Sequence, residues 1–317
     1  MPSNFFVLAA VPAWLTPIWV VLVGALACVA VILVCLGLLR LALPKVAAIT
    51  TTTNKEVLAQ PMFWVTVAIG VCAIVSFPFI PYNTFGEDVK VVKDSGLTVI
   101  MVLAIVLGLW SASVSIADEI EGRTALTLLS KPIARWQFIV GKFFGIIGSV
   151  AVLFVVLGSL FLMSVSYKVA YDARENAAPP PTVAQCRAEI VQIAPGLGLA
   201  FLEAVVMTSI AVAIATRLPM MANLVICSTV YVLGHLVAQL ASSQAGQSGM
   251  GRAMVQFMGL LIGTILPNLD NFNIYAAITA GRTVPLAYLG WATLYCVLYS
   301  TAAILVGLVL FHDRDLA

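Results

Sequence analysis

The chain alternates long apolar runs with short polar breaks, and most of the runs are long enough to cross a membrane. Nearly uninterrupted apolar stretches cover residues 15–43, 62–80, 97–117, 143–165, 197–216, 220–240 and 285–311. A helix needs about 20 apolar residues to cross a hydrocarbon core about 30 Å thick, so each run predicts one span. Between 241 and 284 the pattern changes to a Ser/Gln/Gly stretch, an apolar piece at 254–266, and then Pro267-Asn268-Leu269-Asp270-Asn271-Phe272-Asn273. As a helix that piece would be only about 20 Å long, too short to span, which predicts a re-entrant or interfacial element. The expected fold is an all-α integral membrane helix bundle of about seven transmembrane helices, in one domain over 1–317, with a re-entrant outer element.

The breaks are short except for two. A polar connector carrying Arg40, Lys45, Lys55 and Glu56 leads into the second run, and Pro78 and Pro81 close that run. Arg217, Leu218 and Pro219 make a tight turn between the fifth and sixth runs. Residues 166–196 read as a loop of about 30 residues, long enough to be functional, and its Pro179-Pro180-Pro181 predicts an extended elbow. The first run is too long for the core of a signal peptide, and no Lys or Arg precedes it, so it is expected to remain as a span.

Composition excludes whole classes. Of the 317 residues 62% are apolar and 9% charged, against roughly 25% charged in soluble domains, so a water-soluble protein is ruled out. The net charge of +2 gives no electrostatic footprint for nucleic acid, and none is expected as a partner. Cys28, Cys35, Cys72, Cys227 and Cys296 lie in apolar runs and Cys186 in the polar loop, with no C-x-x-C pair. Neither a disulfide framework nor a metal site is expected. His235 and His312 lie far apart, at no ligand spacing.

If segment 118–142 faces the cytoplasm, the inside set is Arg40, Lys45, Lys55, Arg123, Lys131, Arg135, Lys142, Arg217 and Arg314, against seven basic residues outside. That bias, carried in short loops near span ends, places the C-terminus inside and the N-terminus outside.

Segment 118–142 reads DEIEGRTALTLLSKPIARWQFIVGK and is the most charged part of the chain. Asp118, Glu119 and Glu121 precede a run of good helix formers, where acids complement the helix dipole. Thr124 can cap a short helix whose Leu126 and Leu129 share a face, and Pro132 stops it by biasing Lys131 away from helical geometry. A new helix then enters the fourth span, with Arg135, Trp136 and Lys142 expected as interface anchors. Taken alone, this pattern fits an interfacial connector as well as a docking element.

The segment resembles the signature of the type-2 permease family of ATP-binding-cassette (ABC) transporters. The likeness rests on Glu119, Glu121, Gly122, Thr124, Leu128, Leu129, Ser130, Lys131, Pro132, Ile133, Arg135, Gly141 and Lys142, in order, with Arg123 as an insertion where many members have Gly-Thr directly. The resemblance implies that Glu119, Glu121, Gly122, Arg123, Thr124, Leu128, Leu129, Lys131, Pro132 and Arg135 form a cytoplasmic coupling helix that docks on a separate ABC ATPase subunit. It further implies a second permease copy and a multi-pass place in a bacterial cytoplasmic membrane, surrounded by lipid. The implied activity is ATP-driven transport, by export, with ATP and Mg bound in the partner ATPase and no catalytic residue in this chain. The absence of any G-x-x-x-x-G-K-[ST] phosphate loop agrees. The first span exceeds the family's six-span pattern and reads as an accessory helix or a dimer contact.

Other positions carry weaker signals. Glu203 is the one carboxylate inside an apolar run, seven residues into the fifth, and an intramembrane charge is by default a functional hypothesis. It could line a translocation path or carry a proton, and its position near the start of the run favours a hydrated place near the outer interface. Met250, Met254 and Met258 would stack on one helical face, which reads as packing before it reads as a soft-metal site. Gly141 with Gly145 and Gly259 with Gly263 suit close helix approach. The rivals to an ABC permease are an ion-coupled secondary transporter using Glu203 and a membrane anchor for an enzyme-maturation or motility complex.

Overall fold

The computed structural model describes residues 12–82, 87–117, 134–242, 263, 266–279 and 284–312, which are helical with no strand among them. In chain order the elements are α1 (Ile18–Ala42), α2 (Pro44–Ala59), α3 (Pro61–Ser76), α4 (Asp88–Ala112), α5 (Arg135–Glu175), α6 (Val183–Ala215), α7 (Met220–Ser242), α8 (Tyr275–Thr279) and α9 (Leu286–His312). Short 3₁₀ turns follow α3 and precede α8, and a π-helical turn, Ser113–Ala117, ends α4. Six helical stretches are long and apolar enough to cross a membrane: α1, α3 with its 3₁₀ turn, α4, α5, α6 and α9. The run 220–240 forms α7, whose described side chains give a shorter apolar stretch, Met220–Leu236.

Side-chain contacts fix the direction of each helix. The Trp14 carbonyl accepts from Ser166 Oγ at 2.8 Å near the end of α5, so α1 starts at the end of the bundle where α5 finishes. Helices α2 and α3 then follow α5 in the same direction, through Thr50 Oγ1 to the Gly141 carbonyl (3.2 Å), Ser149 Oγ to Asn54 Oδ1 (2.8 Å) and Ser164 Oγ to the Ile74 carbonyl (3.0 Å). Helix α4 returns with α6 beside it in parallel, pairing Lys93 with Gln192 and Gly108 with Thr208. Helix α7 rises from Asn223, next to Ser113, to Gly234, next to Leu269. Helix α9 descends along α6 from Cys296, beside the Leu202 carbonyl, to Gly307, where an added Cβ would lie 2.9 Å from Ala213 Cα. Seven legs thus alternate among the described residues, with α2 and α3 counted as one, the first starting at the Asp88 end and the last finishing at the Arg135 end.

Helices α4, α5 and α6 form the core, with Leu97, Ile100, Leu107, Leu153, Leu157 and Leu199 fully buried. By contrast, only Val21 of α1 is buried, and Trp19, Leu26, Leu33 and Leu41 are exposed. An apolar surface of that kind belongs in lipid or against another apolar partner.

Three expectations are corrected. The polar connector before the second run is the helix α2, begun by Pro44 at its first position, with Thr50 and Thr53 buried against α5. The loop expected over 166–196 shrinks to 176–182, because α5 continues to Glu175 and α6 starts at Val183. Helix α5 ends in a Schellman pattern, Ala178 N–H to the Ala173 carbonyl (2.8 Å), with Ala177 at φ 49°. Thr182 and Gln185 cap α6 reciprocally, Thr182 N–H to Gln185 Oε1 (2.8 Å) and Gln185 N–H to Thr182 Oγ1 (3.4 Å). Cys186 is therefore buried in the first turn of α6 instead of lying in a loop, and all six cysteines are free thiols.

At the Arg135 end, Asn223 Nδ2 donates to Ser113 Oγ (2.9 Å) and to the Ala211 carbonyl (3.2 Å), tying α7 to α4 and α6 where no atom of the side chain meets solvent. Replacing Asn223 by leucine strands these partners and is expected to cost about 1–3 kcal/mol, read as a lower melting temperature in nanodiscs.

Candidate functional site

Of the residues expected in the coupling segment, Glu119, Glu121, Gly122, Arg123, Thr124, Leu128, Leu129, Lys131 and Pro132 lie outside the described residues. Arg135 is described. Its Nη1 donates to the His312 carbonyl at 2.9 Å, and its guanidinium stands 5.8 Å from the centre of the Phe311 ring. The start of α5 is thereby clasped to the end of α9, and segment 118–133 leaves α4 at the same end of the bundle. Trp136 is exposed, whereas Lys142, expected as an interface anchor, is buried against α2 with its ammonium 3.5 Å from Glu56. Gly141 and Gly145 do serve close packing: a Cβ at Gly145 would lie 2.6 Å from Thr53 Cβ and 2.9 Å from the Thr50 carbonyl. The piece 254–262 with its methionine stripe lies outside the described residues; Gly263 is described and exposed.

Glu203 lies elsewhere, and deeper than the start of its apolar run suggested. Because α6 begins at Val183, Glu203 is about 20 residues into the helix and about 18 Å along it from Ala215. Its side chain is fully buried, which overturns the expectation of a hydrated place near the outer interface. Neither carboxylate oxygen has a hydrogen-bond partner among the described residues, but Oε1 faces His235 Nε2 at 3.4 Å.

The position of His235 decides what that contact is. Its Nδ1 lies 3.1 Å from the Tyr231 carbonyl one turn earlier, and a carbonyl only accepts, so Nδ1 carries a proton. Nε2 then meets the carboxylate either as a lone pair or as a second N–H. Two lone-pair atoms facing each other in a buried site repel, so this contact, close but not a hydrogen bond, is favoured when one of the two carries a proton, as imidazolium with carboxylate or imidazole with carboxylic acid. Sequence reasoning set His235 aside because it lies far from His312 and at no ligand spacing. The available signal was a single basic side chain in an apolar run facing the one run that holds a carboxylate.

His235, 23% exposed at its side chain, opens onto a cavity of about 570 Å³. Lys90, Asp94, Thr98 and Met101 line it from α4, Tyr231 and His235 from α7, and Asn273 and Tyr275 from the segment 266–279. That segment packs inside the bundle: Tyr275 is buried with its hydroxyl 3.3 Å from Met101 Sδ, and Ile278 abuts Gly196. The apolar piece expected to be re-entrant, 254–266, lies outside the described residues apart from Gly263 and Leu266. The cavity faces the Asp88 end, while below Glu203 the fully buried Ala204, Met207, Thr208 and Asn223 close the way to the Arg135 end.

A second group of acids lies at the Asp88 end. Oxygens of Asp88, Asp172 and Glu175 come within 4.8 Å of one another. The buried Lys168 ammonium stands 3.2 Å from Asp88 and 2.8 Å from Asp172, so this cluster already holds a cation of its own and works as a helix tie.

Neither the models of protein families nor the curated proteins include a match to this chain.

Proposed function

We propose that this chain is the membrane-spanning permease subunit of an ABC exporter of the type-2 family, with seven crossings and the Arg135 end in the cytoplasm. The observation that carries the reading is segment 118–142, ten of whose thirteen family-like positions fall between the two most central legs of opposite direction, α4 and α5, with Arg135, Gly141 and Lys142 in the first turns of α5. A partner ATPase docked there would act directly on the core of the bundle. It would bind the ATP and Mg, and a second permease copy would complete the path. The exposed α1 suits lipid contact or that second copy, in the cytoplasmic membrane of a bacterium.

The test is an affinity pull-down from native membranes, comparing wild type with Glu119→Ala/Glu121→Ala. Arg135 is left intact, because its bond to His312 would confound docking with folding. Wild type is expected to bring down an ATPase and the variant to lose at least nine-tenths of it. An eluate without ATPase from wild type rejects the reading.

The Glu203–His235 pair favours a second reading, an ion-coupled secondary transporter working alone. That reading predicts transport that follows an imposed proton gradient without ATP and is abolished by Glu203→Gln.

A further inference from the structure

We propose that the cavity above His235 is a binding site for an organic cation, and that the Glu203–His235 pair gives up its proton when the cation binds. As an identification of the cargo this rests on the transport reading; as a binding site it does not.

The charges around the cavity favour a cation. From α4 come Lys90 and Asp94, from α6 Glu203, from α7 His235 and Tyr231, and from the segment 266–279 Tyr275 and Asp270, the last within electrostatic reach of Glu203. Lys90 is matched by Glu87 at 2.5 Å, and Lys93 beside it is buried in a pair with Glu189. Among the described residues three carboxylates, Asp94, Asp270 and Glu203, then remain against one proton on the Glu203–His235 pair. An excess of negative charge around a cleft draws in a cation.

The walls favour an organic one. The Tyr231 ring lies 4.7 Å from the His235 ring, and Tyr275 and Met101 stand opposite on other elements. Aromatic faces and a thioether attract a weakly hydrated ammonium, which a small hydrated metal ion would not exploit. The cavity volume lies in the range of small-molecule sites.

Proton release follows from electrostatics. With the proton present the pair is neutral overall; without it the pair carries one negative charge a few ångströms from the cation. The cation therefore favours the deprotonated pair, and raising the pH, which removes the competing proton, tightens binding. If one proton leaves per cation, affinity rises up to tenfold per pH unit while the free pair is protonated.

The probe is benzyltrimethylammonium, titrated by calorimetry into the full chain in nanodiscs, beside its neutral isostere with carbon in place of nitrogen. Saturable binding of the cation at least tenfold tighter than the isostere is expected, strengthening with pH, and flat with pH in Glu203→Gln. Asp94→Asn, at the exposed rim, is expected to weaken binding several-fold and keep the pH slope. Repeating the wild-type titration in buffers of different ionisation enthalpy counts the released protons without any variant; up to one per cation is expected. Equal binding of the isostere, no saturable binding, no proton release, or an unchanged pH slope in a folded Glu203→Gln protein each overturns the proposal. Cation binding in a preparation without an ATPase would uphold the site and reject the ABC reading, and the converse result would reject the site alone.

Discussion

Lys168→Met is expected to lower the stability of the folded chain by about 3 kcal/mol, read as a lower melting temperature in nanodiscs. Lys168 is 1% exposed, and its ammonium lies 3.2 Å from Asp88, at the start of α4, and 2.8 Å from Asp172, one turn further along α5. The rings of Tyr171 and Tyr82 stand 5.1 and 5.9 Å away, adding cation–π attraction. Methionine keeps the length and the packing and removes the charge, which leaves the acids facing one another. Most of the cost comes from those stranded carboxylates, so adding Asp172→Leu is expected to recover at least half of it. A double variant no more stable than Lys168→Met would show that the ammonium contributes through its rings or its packing instead.

Gly145→Leu is expected to separate α2 from α5 and to cost about 3 kcal/mol. The seam admits no side chain at this position, because the Thr50 carbonyl, a backbone atom, lies 2.9 Å from where a Cβ would sit. Thr53 packs over Gly145 and Ile49 over Gly141, so a displaced α2 also loses the Thr50 bond to the Gly141 carbonyl and the Asn54 bond to Ser149. Gly37→Leu, on α1 where nothing lies within 4 Å, is the matched control and is expected to leave the melting temperature unchanged.

All seven apolar runs fall in helices, six of them long and apolar enough to cross a membrane, because length and apolarity are both written in the sequence. They failed where polar residues satisfy one another inside a helix. Lys168 and Asp172 stand i, i+4 in α5 and pair, so their charges read as loop when they lie in the outer turns of a 41-residue helix. Thr182 and Gln185 carry the spacing of a capping box, a signal that the reading of 166–196 as a loop passed over. Helix α2 was hidden because its packing relies on threonines meeting glycines, a match of shape that hydropathy does not register. Glu203 was visible as an anomaly, but its depth depended on where α6 begins, and its histidine depended on tertiary contact between α6 and α7.

The π-helical turn at Ser113–Ala117 puts the tied end of α4 far from the cavity. Asn223 holds Ser113 at 2.9 Å, close to where segment 118–133 joins, while Asp94 and Met101 on the same helix form one wall of the cavity. From Ser113 to Asp94 is about 28 Å of continuous helix. Were α4 to tilt by about 5° about the Asn223 bond, Asp94 would move by about 2.5 Å at the mouth above His235, while Ser113 would barely move.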